Sequence, residues 1–419
     1  MKKIHVLVGL AVGSMVLSAC GTGGGGNTAA SPTTAASTAA VPSGGKLLIW
    51  ADEKKAEAVK PVAEQFGKEN GVTIEVQAVT KDLQSQFVTA SQAGNAPDVL
   101  IGAHDWIGNL AQNGAIDPVQ LSNTSAFDPS TIKAVTYNGQ VYGTPYSREN
   151  LVLFRNTALA PNAPTSVEDM VSNGKSLKSS GKTTEIMAQQ VGQNGDVYHM
   201  QPLLTAGGGG IFATDAQGQA DPKKVIIDSP ESIAAMTKIQ KLGEKGDGAL
   251  KRSIDDKNAI STFTSGKTAY LVSGPWAIAD IKKAGIKYDI SAIPTFQGGK
   301  PAQPFIGVNA FYVASKGKNK VVANEFVSNY ASTDAVQTAM FNGEPRPPAQ
   351  TAVLTKVSAT DPDIQKILDA GKDGAPMPSI PEMGKVFDPV GKAQANIVGG
   401  ADVASTLKSA ADAVRQAIG

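Results

Sequence analysis

Three histidines, one cysteine and three tryptophans are the scarcest chemistry-bearing side chains in this chain of 419 residues. Cys20, His5, His104 and His199 are too few and too scattered to assemble a Cys/His metal cluster, so neither a metal nor another cofactor is expected. The nucleotide and nucleophile motifs fail for stated reasons. Gly181-Lys182-Thr183 and Gly266-Lys267-Thr268 look like the end of a phosphate-binding loop, but five residues earlier stand Ser176 and Ser261 where the loop needs glycine. Gly21, Gly23 and Gly26 satisfy G-x-G-x-x-G with no strand before them and no amphipathic helix after. Neither H-E-x-x-H nor G-x-S-x-G occurs. What remains is binding chemistry, in which the flat faces of Trp50, Trp106 and Trp276 stack on an apolar surface while fixed carboxylates, amides and cations hold hydroxyls.

These groups must be held by regular elements, and the pattern for them begins at residue 46. Lys46-Leu47-Leu48-Ile49-Trp50 is an apolar run suited to a buried strand. Ala56, Val59, Val62, Ala63 and Phe66 recur at helical steps up to the stop signal Asn70-Gly71, and Pro61 is expected to kink or divide that helix. Val72, Ile74, Val76 and Ala78 alternate as a strand. Leu83, Phe87 and Ala90 mark a second helix, Pro97-Asp98 a turn, and Val99-Leu100-Ile101 a third strand. This alternation predicts an α/β fold with parallel pairing and helices over the sheet, with ligands at the carboxyl ends of strands. Trp50 to Glu53 and Gly102 to Trp106 lie at such ends, although Trp50 itself reads as core. Asn138-Gly139 between extended flanks signals a hairpin. Val403, Leu407, Ala411, Val414 and Ile418 give a last helix.

Ahead of this part stands an address. Lys2 and Lys3 precede an apolar run from Ile4 to Leu17, the order of a secretory signal and too short to read as a membrane span. Leu17-Ser18-Ala19-Cys20 resembles a bacterial lipobox, predicting a signal peptide over residues 1–19 and a lipidated Cys20 whose acyl chains suffice for stable anchoring. Residues 20–45 are mostly Gly, Ala, Ser, Thr and Pro, a flexible linker reaching about 25–30 Å. The mature chain is therefore expected outside the cytoplasmic membrane, attached through lipid alone. With 38 basic against 37 acidic residues, nothing favours nucleic acid.

Several stretches together make the chain similar to the extracellular solute-binding proteins of bacterial ABC importers (family 1), and most of all to their maltose/maltodextrin-binding branch. They are Leu48-Ile49-Trp50, Ala96-Pro97-Asp98 leading to Ala103-His104-Asp105, Gly274-Pro275-Trp276-Ala277, Pro304 to Val308, and Met377-Pro378 with Ile380-Pro381. The resemblance covers nearly all of residues 46–419. It implies a type II periplasmic-binding-protein fold of two α/β lobes. Lobe 1 would comprise 46–147 and 311–357, lobe 2 would comprise 148–303 and 360–419, and hinges would lie near 144–149 and 306–310. An oligosaccharide, linear or cyclic, would sit between the lobes of a monomer that hands it to the permease subunits.

The same resemblance implies the contact residues. Trp276 matches the main stacking tryptophan, Tyr198 with Asp196 matches a Glu-x-Tyr sugar contact, and Phe387 stands in place of a tryptophan. Asp105 and Glu149 match carboxylates that accept from hydroxyls, while Asp52, Glu53 and Lys55 align with an Asn-x-Asp-Lys stretch. His104 and Trp106 complete the candidates, their competing reading being core packing. Gly102 replaces a stacking tryptophan, with Trp106 positioned to compensate, Gly391 replaces an arginine, and Asp256 a tyrosine. A different solute is one alternative. The other is a lipid-anchored glycosidase, because Asp105 and Glu149 could form a carboxylate pair whose spacing is spatial.

Overall fold

A computed structural model describes residues 44–214 and 219–419. The signal peptide, Cys20 and nearly all of the small-residue linker lie outside the described residues. The chain opens with β1 (Lys46–Ala51), α1 (Glu53–Asn70), β2 (Thr73–Ala78), α2 (Leu83–Gln92), β3 (Val99–Ala103) and α3 (Ile107–Gln112). After the hairpin come β4 (Gly143–Glu149), β5 (Val152–Asn156), β6 (Ala188–Gln189) and α4 (Val197–Ala206). β7 (Tyr270–Ser273), β8 (Tyr288–Ser291), β9 (Phe305–Ala314), α5 (Asp334–Gly343), α6 (Phe387–Val398) and α7 (Val403–Ile418) complete the elements that position the site.

Among the described residues two large sheets, of seven and four strands, carry the site, beside two two-stranded pairs. In the first the order is β2-β1-β3-β9-β4. β1 is parallel to β2 and β3, with Trp50 opposite Leu100. β9 runs antiparallel to β3 on one edge, Asn309 opposite Ala103, and to β4 on the other, Gly307 opposite Glu149. Because β9 opposes both neighbours, β1, β3 and β4 end at the same edge of the sheet. All ten residues of β9 are buried, the continuous apolar run of a central strand. One face is packed by Phe66 of α1 with Phe311 and Phe326, the other by Phe87, Leu110 and Tyr312.

The second sheet has the order β8-β5-β7-β6, with β5 antiparallel to β7 and β8, and β6 parallel to β7. The carboxyl ends of β6 and β7 therefore share an edge too. Phe154, Phe263 and Ile278 fill one side of this sheet. Met170, Leu203, Ile239 and Ile397 belong to the largest core, which takes in Leu407, Ala411 and Val414 of α7. The chain passes from the first sheet to the second through Asn150 and Leu151 alone. Fully buried Asn150 donates to the Ile367 carbonyl at 3.1 Å.

Local signals behave as the residue types require, with one correction. Asp52 caps α1, accepting from the Lys55 amide at 3.1 Å. The turn Asn138-Gly139 has φ of 48° and 76°, the left-handed pair of a tight hairpin. Pro61, however, does not divide α1, which is continuous to Asn70. The lost bond would have reached the carbonyl of Glu57, and both residues lie on the exposed face where water replaces it.

His104 locks the first sheet at its functional edge. Past the Asn309–Ala103 pair β3 turns away, and the Val308 amide donates instead to His104 Nδ1 at 3.1 Å. Nε2 is thereby the protonated nitrogen and donates to the Met377 carbonyl at 3.0 Å. Burial drives the pKa of this ring down from 6.5 to about 4. Between those values the unfolded chain binds a proton that the folded chain does not. The stability contributed by the neutral ring is complete above pH 6.5 and is lost as the pH falls toward 4. The expected loss is about 3 kcal/mol, read from urea midpoints across that interval. In proton NMR the His104 ring signals should not titrate above about pH 5; a midpoint near 6.5 would contradict the assignment.

Candidate functional site

The carboxyl edge of the first sheet presents Asp52 after β1, Asp105 and Trp106 after β3, and Glu149 as the last residue of β4. Asp52 is engaged at α1, both as its cap and in an ion pair with the Lys55 ammonium. Burial tends to raise its pKa, but Lys55 and Arg346 together hold it below the usual carboxylate value. Lys55 is itself buried and lies 3.8 Å from Glu344, so it belongs to a charge cluster, while Glu53 is exposed on the first turn. Trp106 covers Gly102 so closely that a Cβ there would collide with the indole. The glycine and the tryptophan are thus one packing unit, with Trp106 half-buried against Phe87 and Tyr312.

The matching edge of the second sheet holds Tyr198 on α4, beyond β6, and Trp276 in the turn after β7. Their rings lie 6.3 Å apart, tilted by 43°, and Phe305 at the start of β9 lies 6.2 Å from Tyr198. Trp276 folds back over Gly274, where a side chain would clash with it. Two expected contacts are redirected by the structure. Asp196 caps α4, accepting from the His199 amide at 2.9 Å, and its other oxygen meets His199 Nδ1 at 2.9 Å and the Gln190 amide, so the carboxylate is committed within its own turn. His104 has both nitrogens on backbone groups and serves the scaffold.

Between the two edges stands Arg346, which sequence reasoning did not single out. Its guanidinium pairs with Glu149 and Glu344 and lies 5.4 Å from the Trp276 ring centre, within cation–π range. The loop carrying it is pinned along β4, since the Arg148 amide donates to the Pro347 carbonyl and the Ala349 amide to the Tyr146 carbonyl. The one sequence signal was a cation enclosed by prolines, Pro345-Arg346-Pro347-Pro348.

Several buried polar atoms here make no hydrogen bond: Asp105 Oδ1, Tyr198 Oη, Tyr312 Oη, Tyr146 Oη, Glu344 Oε2 and Arg346 Nε. Burial raises the Asp105 pKa to about 7, so this carboxyl group both donates and accepts near neutrality. Burial also raises the Tyr198 and Tyr312 phenols, and each feels the Asp105 charge. Buried polar groups are normally paired. A cluster of unpaired ones beside aromatic faces is what a hydroxyl-rich ligand would satisfy.

Asp105 also lines a groove of about 710 Å³ together with Gln84, Asn109, Glu382, Lys385 and Phe387. Trp276 and Tyr198 are not part of its wall, and Asp105 is the one residue of the unpaired set that lines it. Phe387 is 36% exposed there. At Gly391 the backbone of Asn194 and Gly195 packs directly on α6, filling space that a larger side chain would need. Among the described residues no group of three His, Cys, Asp or Glu could hold a metal ion. Nor, among them, is any helix long and apolar enough to cross a membrane.

With this geometry in place, comparison with known proteins places the chain in a family. It belongs to the bacterial extracellular solute-binding proteins, whose family profile matches residues 62–366. It is 29% identical over 425 residues to the maltooligosaccharide ABC transporter solute-binding lipoprotein of Streptococcus pneumoniae, covering 99% of this chain and 96% of the relative. It is 29% identical over 358 residues to the maltodextrin-binding protein MdxE of Bacillus subtilis, covering 82% and 84%. A galactooligosaccharide-binding protein of Bacillus subtilis is 27% identical over 432 residues, covering 99% and 97%. All three relatives are named as binding proteins, the first of them as part of an ABC transporter.

The commitment of Asp196 can be checked directly. Asp196→Ala should lower folding stability by about 1–2 kcal/mol through loss of the cap, whereas Asp196→Asn should keep most of it. Urea denaturation of both variants reads the difference, and equal losses would show that capping is not the role.

Proposed function

We propose that this chain is a lipid-anchored extracytoplasmic binding protein that captures a maltodextrin-type oligosaccharide between its two sheet edges and passes it to the permease of an ABC importer. It acts as a monomer and without a cofactor. The observation that supports this reading most is the set of unpaired buried atoms on Asp105, Tyr198 and Arg346, grouped around the Trp276 and Tyr198 rings. A pyranose matches that set, with an apolar face for the rings and hydroxyls for the polar atoms. Two of the three relatives named above bind glucans by name, which favours a linear or cyclic glucan over a galactan.

In this reading the two sheets are the cores of two lobes, 46–147 with 311–357 and 148–303 with 360–419. Ligand bridges them and favours closure about the paired segments 144–149 and 306–310, because only the closed form touches it from both sides. Asp105, Trp106, Glu149, Tyr198, Trp276 and Phe387 contact the sugar, with Asp52 and Lys55 behind Glu149. The anchor is the acylated Cys20, at the end of a linker long enough to let the globule reach the permease.

Intrinsic tryptophan fluorescence against linear and cyclic glucans, with galacto-oligosaccharides as contrast, tests the ligand class. Trp276→Ala should weaken binding by about 2 kcal/mol or more, and Asp105→Ala by roughly 1–3 kcal/mol. Calorimetry on folded variants decides, and unaltered affinity in both would overturn the placement of the site. Saccharides recovered intact after prolonged incubation would confirm binding without hydrolysis; shortened ones would establish the glycosidase instead. Separately, Cys20→Ala should abolish acylation and processing. A variant that still partitions with membranes as a mature lipoprotein would refute the anchor.

A further inference from the structure

The charged loop beside Trp276 supports an inference that rests on the oligosaccharide reading and goes beyond it. Arg346 is 8% exposed, yet it is not an interior salt bridge between fully matched partners. Its Nε is buried without an acceptor, and Oε2 of the neighbouring Glu344, which burial holds toward its protonated form, receives no hydrogen bond and faces only the Lys55 ammonium at 3.8 Å. Tyr146 Oη, whose phenol feels both charges, is the third unpaired atom of the same cluster. One unpaired atom is a packing defect; three that share a corner with an indole ring indicate a missing polar partner.

The corner is also rigid. Pro345 and Pro347 restrict the backbone on either side of Arg346, and the loop is hydrogen-bonded to β4 through Pro347 and Ala349. Glu149, packed over Gly307, and Glu344 hold the guanidinium from two directions. A fork fixed in this way presents its remaining donors without losing further conformational freedom when a ligand arrives.

We propose that Arg346 is a specificity-determining, ligand-contacting residue, its guanidinium donating to adjacent hydroxyls of the sugar ring that sits at Trp276 while Glu344 accepts from one of them. The charges of the cluster also define what is refused. Asp52, Glu149 and Glu344 face Lys55 and Arg346, with Lys54 also acting on Glu344, three carboxyl groups against three cations, so the corner has no surplus cation for an acidic sugar. The ligand at this position is a neutral ring with a vicinal diol, and a uronate is excluded.

Calorimetry with maltotriose, its monodeoxy analogues and a uronic-acid trisaccharide tests this on the wild type, Arg346→Lys, Glu344→Gln and Trp276→Ala. Arg346→Lys keeps the charge and loses the fork, and should weaken maltotriose at least tenfold while circular dichroism stays unchanged. The loss should shrink for the one deoxy analogue that lacks the hydroxyl facing the guanidinium, and no variant of the wild-type charge pattern should bind the uronate. An equal loss for every analogue would mean that Arg346 only braces the loop, and undiminished affinity would exclude any contact; either overturns the proposal. Should Arg346→Lys fail to fold, Glu344→Gln gives the same discrimination from the acceptor side. A wild type that binds no glucan would defeat the oligosaccharide reading itself, whereas weakening by Trp276→Ala alone would leave that reading intact and reject Arg346.

Discussion

Strand β9 is the constraint on which the architecture of the site depends. Its ten buried residues leave no water for their amides and carbonyls, so both edges must be paired. β3 takes one edge and β4 the other, both antiparallel to it. That arrangement delivers β1, β3 and β4 with their carboxyl ends together, which is why residues as distant in the chain as Asp52, Asp105 and Glu149 share one rim. Where β3 leaves the sheet, its strand partner is replaced by a side chain: the His104 ring carries the pairing across from Val308 to the Met377 carbonyl. A protonated ring could not accept from Val308, so the neutral state enforced by burial is part of the ladder.

Buried polar groups in this molecule are either paired or unpaired, and unpaired ones occur at several places, the rim of the two sheets among them. Most buried ones are satisfied locally, as Asp98 shows by accepting from the Leu48 and Asn319 amides at 2.9 and 2.8 Å and so tying β1 to the helix that follows β9. Around Trp276 and Asp105, carboxyl, phenol and guanidinium atoms are desolvated without hydrogen bonds. Leaving each such atom unpaired costs about 1–3 kcal/mol. The fold tolerates this because the surrounding core is large, and in the proposed reading the same deficit favours a hydroxyl-rich ligand.

The glycines at the rim show how shape is traded for position. Gly102 and Gly274 are each covered by a tryptophan a few residues ahead, Trp106 and Trp276, in the same strand-to-turn geometry on the two sheets. Each missing side chain lets an indole fold back onto its own strand, which fixes the ring by packing instead of by hydrogen bonds. Gly391 has a different origin, since the backbone of Gly195 lies against it and the wall there is built from main chain.

Much of the scaffold was legible in the chain because it depends on neighbours a few residues apart. The apolar run of β1, the alternation of β2, the helical spacing of α1, α2 and α7, and the Asn138-Gly139 turn all follow from local periodicity and from backbone conformations that only certain residues accept. Pro61, expected to kink or divide its helix, does not divide it, since it stands on the exposed face. The site was legible in part: aromatic rings and carboxylates could be named from their motifs, yet Asp196 and Asp105 look alike in sequence. Only the folded chain shows one saturated by its own helix and the other buried with an oxygen unpaired. Beyond its flanking prolines nothing near Arg346 pointed to it, since its partners Glu149 and Trp276 lie in remote segments. By itself the sequence determined which elements form and which side chains could bind. The tertiary structure alone decided which of them remain free to do so, because hydrogen-bond and ion-pair partners are assigned by pairing and packing across the whole chain.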